Sequence, residues 1–274
     1  LVFFIAILTG CTANLDKNGN LIDSRAITMS TPWSLSAGWF DFLFVIPIAK
    51  GILFINQYVG NVAIGVIGVT IVVNLITLPI MVKSTVSTQK IQLLQPEMEK
   101  IQNKYRGRKD QASQMRQNAE IQNLYKKHNV SMFGSFATFL TLPIMIAMWQ
   151  AVQRIDILYK TSLFGINLGE KPISHIMKFS IEYIVLLLLV AVTQYFAVQI
   201  SQIMAKRSPR YRPSQQMQTM NTMNNVMTLF IVYLAATMPA AMSLYWITTN
   251  IIGIVRTVYI QFFHIEKVKK EVSK

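Results

Sequence analysis

The sequence predicts an all-α, polytopic membrane protein with five transmembrane helices, an N-terminal interfacial helix and a cytoplasmic helical hairpin. Three observations predict it. Hydrophobic residues make up 52% of the 274 positions and charged residues only 14%, against about 25% charged in soluble domains. Several apolar stretches reach the roughly 20 residues with which a helix crosses hydrocarbon while satisfying its own backbone. The formal charge of +14 falls between these stretches, mostly on alternate connections, as positive-inside topology requires and a sequence-specific nucleic-acid surface does not.

The charge distribution sets the orientation. Lys83 to His128 carries ten basic residues against four acids, Glu97, Glu99, Asp110 and Glu120. Residues 204 to 222 carry Lys206, Arg207, Arg210 and Arg212 against no acid, and the tail adds Lys267, Lys269, Lys270 and Lys274. The other connections are nearly balanced: Lys17, Arg25 and Lys50 face Asp16, Asp23 and Asp41, while Arg154, Lys160, Lys171 and Lys178 face Asp156, Glu170 and Glu182. The expected topology has the N-terminus outside and the C-terminus in the cytoplasm.

From the start, residues 1–10 read as the truncated end of a lipoprotein signal peptide. Leu8-Thr9-Gly10-Cys11 resembles a bacterial lipobox, which makes Cys11 the expected lipidation site, bearing diacylglycerol and an N-acyl chain. It is the single cysteine, so no internal disulfide forms, and no other cofactor is expected. A buried free thiol is the plainer alternative. Residues 11–36 form a polar extracytoplasmic linker, and 37–50, with Trp39, Phe40, Phe42, Phe44 and Pro47, an interfacial helix with its aromatics at headgroup depth.

The first span is expected at 57–81, with Pro79 near its end, where one lost backbone bond is tolerable. Thr70, Asn74 and Thr77 lie on it at i, i+4 and i+7, so they share one face. Such a stripe either bonds neighbouring helices or lines a wet interior. Residues 83–129 form the hairpin. Ile91, Leu94, Met98, Ile101 and Tyr105 make a narrow seam, Arg106-Gly107-Arg108-Lys109-Asp110 a turn with an N-cap at Asp110 or Ser113, and Met115, Ala119, Ile121, Leu124 and Tyr125 the second arm's apolar face. Its basic surface suits anionic lipid or RNA-bearing partners, or is a solvated positive-inside loop.

The remaining parts are a span at 132–153 softened by Pro143, an extracytoplasmic loop at 154–179, a span at 181–204 and a cytoplasmic loop at 205–221. A span at 222–238 then turns at Pro239-Ala240-Ala241 into the last, at 242–263, followed by a basic tail at 264–274. In the last span Ser243, Trp246, Asn250, Gly253 and Thr257 alternate steps of three and four, a second polar or small stripe. His128, His175 and His264 are dispersed at or beyond span ends, which excludes a metal cluster and an intramembrane Ser/His protease site. No acid or base is read in the middle of a span, which weighs against an ion-coupled transporter, and no phosphate-cradling glycine loop suggests an ATPase.

The order of these parts, with Gln95-Pro96 in the hairpin and Met238-Pro239-Ala240-Ala241-Met242-Ser243-Leu244-Tyr245-Trp246-Ile247-Thr248-Thr249-Asn250, resembles the YidC-type membrane protein insertases of Gram-positive bacteria, relatives of the Oxa/Alb insertases. The resemblance covers essentially the whole chain. It implies a non-enzymatic insertase and chaperone of the bacterial cell membrane with a hydrophilic groove, open to cytoplasm and lipid, that receives nascent membrane proteins. The client-contacting residues would be Thr70, Asn74, Thr77, Ser243, Trp246 and Asn250, of which Thr70 and Trp246 match client-contacting positions of the family. The Sec translocon, the ribosome, the signal-recognition-particle receptor and membrane lipids are the implied partners. The family usually has an arginine where this chain has Asn74, so charge attraction for acidic clients is expected from the basic loops at the groove mouth instead. A lipid scramblase or amphiphile transporter using the same groove, and a purely structural partner of the translocon, are the competing readings.

Overall fold

The computed structural model describes residues 21–22, 25–108, 110–130, 134–206 and 215–265. Signal segment 1–10, Cys11, residues 207–214 of the 205–221 loop and nearly all of the basic tail lie outside the described residues. The fold is all-α apart from one small antiparallel hairpin. The helices are α1 (Ile46–Val59), α2 (Val62–Leu93), α3 (Gln95–Lys104), α4 (Gln111–Lys127), α5 (Gly134–Gln153), α6 (Asp156–Tyr159), α7 (Pro172–Ile176), α8 (Ile181–Lys206), α9 (Gln215–Thr237) and α10 (Ala240–Ile260). Among the described residues, Asp41–Val59, Val62–Leu93 and Ile181–Ile200 are long and apolar enough to cross a membrane. The protein is therefore an all-α membrane protein.

The chain divides into two compact units, one of residues 1–75, 140–194 and 229–250, the other of 76–139, 195–228 and 251–274. In the first, α1 packs against the start of α2. Gly60 ends α1 at φ 69°, donating its N–H to the carbonyl of Asn56 at 2.7 Å. Asn61 starts α2 by accepting the N–H of Ala63 at 2.9 Å. The two helices touch through glycine: a Cβ at Gly65 would lie 2.5 Å from the carbonyl oxygen of Ile52, and one at Gly68 2.7 Å from Ile55. Small residues allow this approach in membrane bundles. The apolar helix expected at 37–50 thus continues to Val59, and the chain turns at Gly60, inside the stretch 57–81 expected as a single span. Ile46, Ile52, Val66, Met148, Ile155 and Met242 belong to the core of this unit.

At one end of the unit, β1 (Ser162–Leu163) pairs with β2 (Ile166–Asn167). The turn into α10 is held there by backbone bonds from Ala240 to Glu170 at 2.8 Å and from Ala241 to Leu168 at 3.0 Å.

In the second unit α3 and α4 form the expected helical hairpin, closed over Leu94, Met98, Leu124 and Val130. Asp110 is the N-cap, its carboxylate accepting the N–H of Ser113 at 2.8 Å, and Gly107 makes the turn at φ 87°. The carboxylate of Glu120 accepts from Lys104 at 2.6 Å and from the Tyr105 hydroxyl at 2.7 Å. Lys90 donates to the carbonyls of His128 and Asn129, both at 3.2 Å, at the end of α4. Met115 and Ala119 are exposed rather than on the packed face. The second arm's apolar stripe begins only at Ile121, which with Tyr125, Ile91 and Ile101 packs against the four buried residues of the seam.

Candidate functional site

The stripe on α2 is bonded from within its own helix. The Thr70 hydroxyl donates to the carbonyl of Val66 at 2.7 Å and is fully buried. Hydroxyls satisfied in this way can sit in an apolar bundle without a partner helix. Asn74, half-buried, donates to the Thr70 carbonyl at 2.8 Å and reaches the Thr249 hydroxyl of α10 at 3.5 Å. One residue further on, Asn250 donates to the Thr193 hydroxyl of α8 at 3.4 Å. Adjacent residues of α10 therefore meet the polar faces of two different helices.

Of the other expected site residues, Ser243 is fully buried and its hydroxyl has no partner among the described residues. Trp246, 5% exposed, packs in the core with Val66, Val69 and Met148. Thr70, Asn74, Ser243, Trp246 and Asn250 all lie in the first unit, with Asn74 the most accessible of them. Thr77, half-buried, belongs to the second unit.

The second unit buries polar groups of which the sequence reading had named only Gln95, in the Gln95-Pro96 pair. Among the described residues, both amide atoms of Gln89 are buried without a hydrogen bond, as are the amide oxygens of Gln95, Gln202 and Asn221. Among the described residues the first unit has only Ser243 in this condition. Each such group costs about 1–3 kcal/mol unless water or another polar group meets it.

Arg256 is the other residue that was missed. It lies within α10, four residues before the helix ends, whereas the sequence expectation concerned only the middle of each span. Its Nε is buried and, among the described residues, makes no hydrogen bond. The guanidinium lies back over Gly253, where a Cβ would be 3.7 Å from a terminal nitrogen. Helical side chains lean toward the N-terminus, and here the lean carries the charge toward the helix middle. The glycine leaves room for it. Gly253 stands in the expected second stripe, and its small size next to Arg256 is the signal that could have been read.

A family model described as 60Kd inner membrane protein matches residues 54–267. This chain belongs to that family, the YidC-type insertases. A membrane protein insertase of Bacillus subtilis strain 168, MisCA, is 32% identical over 234 residues, covering 85% of this chain and 83% of its own. Membrane protein insertase YidC 2 of Bacillus anthracis is 31% identical over 222 residues, 80% of each chain. Membrane protein insertase YidC of Alkalihalophilus pseudofirmus is 27% identical, covering this whole chain and 96% of its own. As a family member with membrane-length apolar helices, the chain is a bacterial membrane protein.

Proposed function

We propose that this chain is a membrane protein insertase that receives the hydrophilic part of a nascent membrane protein on a polar intramembrane surface and releases its apolar helix sideways into lipid. The observation that carries the mechanism is the presence, within the expected spans, of buried polar groups that have no hydrogen-bond partner among the described residues: Gln202, Ser243 and Arg256. Groups of this kind are stable in a membrane protein when water or a polar client meets them. A charged residue at the centre of a bilayer costs about 3 kcal/mol even on the milder scales. A hydrated surface reaching part of the way across shortens that barrier without covalent chemistry.

In this reading Asn74 and Thr77 present the accessible polar face of α2, and Arg256 supplies a positive charge within a span. That charge supplements the basic loops. Thr70, Ser243, Trp246 and Asn250, all in the first unit, are the more buried client-contacting residues of this reading. The remaining assignments rest on sequence: extracytoplasmic N-terminus, cytoplasmic hairpin and C-terminus, lipidated Cys11, and cooperation with the Sec translocon, the ribosome and the signal-recognition-particle receptor.

The test is site-specific photocrosslinking from Asn74, Thr77 and Arg256 to ribosome-bound nascent chains of single-spanning clients in membranes. The reading requires adducts that appear while the client's polar flank is untranslocated and fade on release. Crosslinks confined to the exposed lipid-facing residue Leu75, with none from the three polar positions, would overturn it.

A further inference from the structure

The short connection before α8 carries large apolar side chains that neither the insertase reading nor the core uses. Phe164 is 89% exposed, Phe179 83%, Met177 80% and Ile181 72%. A single exposed apolar residue is ordinary, but these four lie at one end of one helix. The β1–β2 turn sits against the first turn of α8, since a Cβ at Gly165 would be 3.5 Å from Glu182. The Asn167 N–H donates to the Tyr183 hydroxyl at 2.9 Å. Phe164, at the tip of that turn, is therefore near Phe179 and Ile181, at the start of α8.

The mounting is rigid. The His175 ring stacks on Tyr183 at 4.1 Å with a 7° interplanar angle and hydrogen-bonds the Glu170 carboxylate. Tyr183 packs in a small core with Leu186 and Ala240. On this platform both phenylalanines hold left-handed backbone, φ 50° at Phe164 and 58° at Phe179. Bulky residues avoid that region. A backbone so held, with an aromatic turned outward at both places, indicates a surface that something apolar covers.

The occupant is read from what adjoins the patch. Ile181 begins a membrane-length apolar helix, and Val185, Leu188 and Val192 are exposed along it. Phe179 thus continues a lipid-facing stripe past its end. Lys171 and Lys178 are exposed beside it. Aromatics with flanking lysines at the end of a spanning helix match the boundary between acyl chains and anionic headgroups. We infer that Phe164, Met177, Phe179 and Ile181 form a preformed wedge that seats in the bilayer interface, with Lys171 and Lys178 on lipid phosphates. Through the Ala240 and Ala241 backbone bonds to this connection, the wedge fixes the start of α10 relative to the lipid surface.

The inference does not depend on the insertase reading and is tested without client proteins. In full-length Cys11→Ser protein, nitroxide labels are placed at Phe164→Cys and Phe179→Cys, one at a time, and the chain is reconstituted in phosphatidylcholine–phosphatidylglycerol vesicles. Collision rates with oxygen, which concentrates in the bilayer, and with a water-soluble nickel chelate are then compared. Both labels should favour oxygen several-fold. Replacing Lys171 and Lys178 by Gln should move both toward water. As a second measurement, Phe179→Trp should gain emission quenched more by lipids brominated near the headgroup than by lipids brominated at the chain end. Preference for the nickel reagent at both labels would overturn the wedge. Protection from both reagents would also overturn it, and would point to a covering protein surface.

Discussion

The Arg154 guanidinium donates to the Asp41 carboxylate at 2.5 Å, and its Nε donates to the carbonyl of Arg25 at 2.8 Å. The two side chains are 9% and 15% exposed, and the Arg154 carbonyl accepts the Ile27 N–H at 2.7 Å. One residue after α5 thus ties the segment preceding α1 to the core by charge and backbone together. A buried pair that loses one partner leaves an uncompensated charge, which costs about 3–5 kcal/mol. Arg154→Ala should therefore destabilise the protein by about that amount, read as denaturant or thermal unfolding in mixed micelles. Asp41→Leu combined with Arg154→Met should recover most of the loss, because it leaves no buried charge behind. Equal damage from the single and double variants would mean that the carbonyl of Arg25, rather than the ion pair, is the important contact.

The contact between α1 and α2 is glycine-dependent in a graded way. Gly65 faces a backbone carbonyl oxygen of Ile52, which cannot move aside, whereas Gly68 faces the end of the flexible Ile55 side chain. Gly65→Ala should lower the unfolding midpoint by the equivalent of about 1–3 kcal/mol, in the range of an overpacked core. Gly68→Ala should cost less, because Ile55 can rotate away. If both variants behave alike, α1 is able to shift bodily on α2.

These two regions mark the limit of what was readable in the chain. Long apolar runs such as Val62 to Met81 and Ile181 to Met204 declare themselves because lipid and core make the same demand on them, and the hairpin seam at Leu94 and Met98 follows from its spacing. The turn at Gly60 was hidden in an apolar stretch where glycine also serves packing, so Gly51, Gly60, Gly65 and Gly68 look alike in sequence. Among the expected site residues, Asn74 and Asn250 meet other helices as a polar stripe suggests, yet their partners Thr249 and Thr193 depend on helix rotation that spacing does not define. Arg256 escaped notice because a cation in the later part of a last span reads as a positive-inside anchor. Only the direction of its side chain, over Gly253, separates the two cases.

The hairpin joint is electrostatic and should respond to pH from both sides. Hydrogen bonds from Lys104 and then Tyr105 hold the Glu120 carboxyl below its usual range, and the Ser113 amide does the same for Asp110. A lowered carboxylate pKa contributes stability that is present above the unfolded value, near 4, and is lost as pH falls through the folded value. Lys104 is raised, chiefly by its bond to Glu120, so its contribution is lost as pH rises past the ordinary lysine range. Pulsed EPR distances between labels at Asn103 and Asn118, in a Cys11→Ser background, should stay narrow between about pH 5 and 10 and broaden outside that window. Glu120→Gln should flatten the response at both edges, leaving the Asp110 cap alone at the acid side.

Arg256 and Asn74 allow charge and hydration to be separated in the proposed insertion step. Arg256 acts on clients by charge, so Arg256→Gln should reduce insertion of a client with an acidic polar flank by roughly three- to tenfold, about 0.6–1.4 kcal/mol. The same client with its acids neutralised should be nearly unaffected, and Arg256→Lys should retain much of the effect. Asn74 carries no charge and contributes a polar face on α2. Asn74→Leu should therefore slow both clients by a similar factor, since a leucine there dries the surface without altering its field. Neutralising the hairpin lysines addresses the loop contribution separately: it should lower the rate of client capture in a salt-dependent way, while the more buried Arg256 effect persists at high salt. If the acidic client is insensitive to Arg256→Gln and loses its advantage only when the loops are neutralised, the intramembrane charge has no part in recognition. Arg256 would then be a helix anchor whose unusual direction serves packing over Gly253.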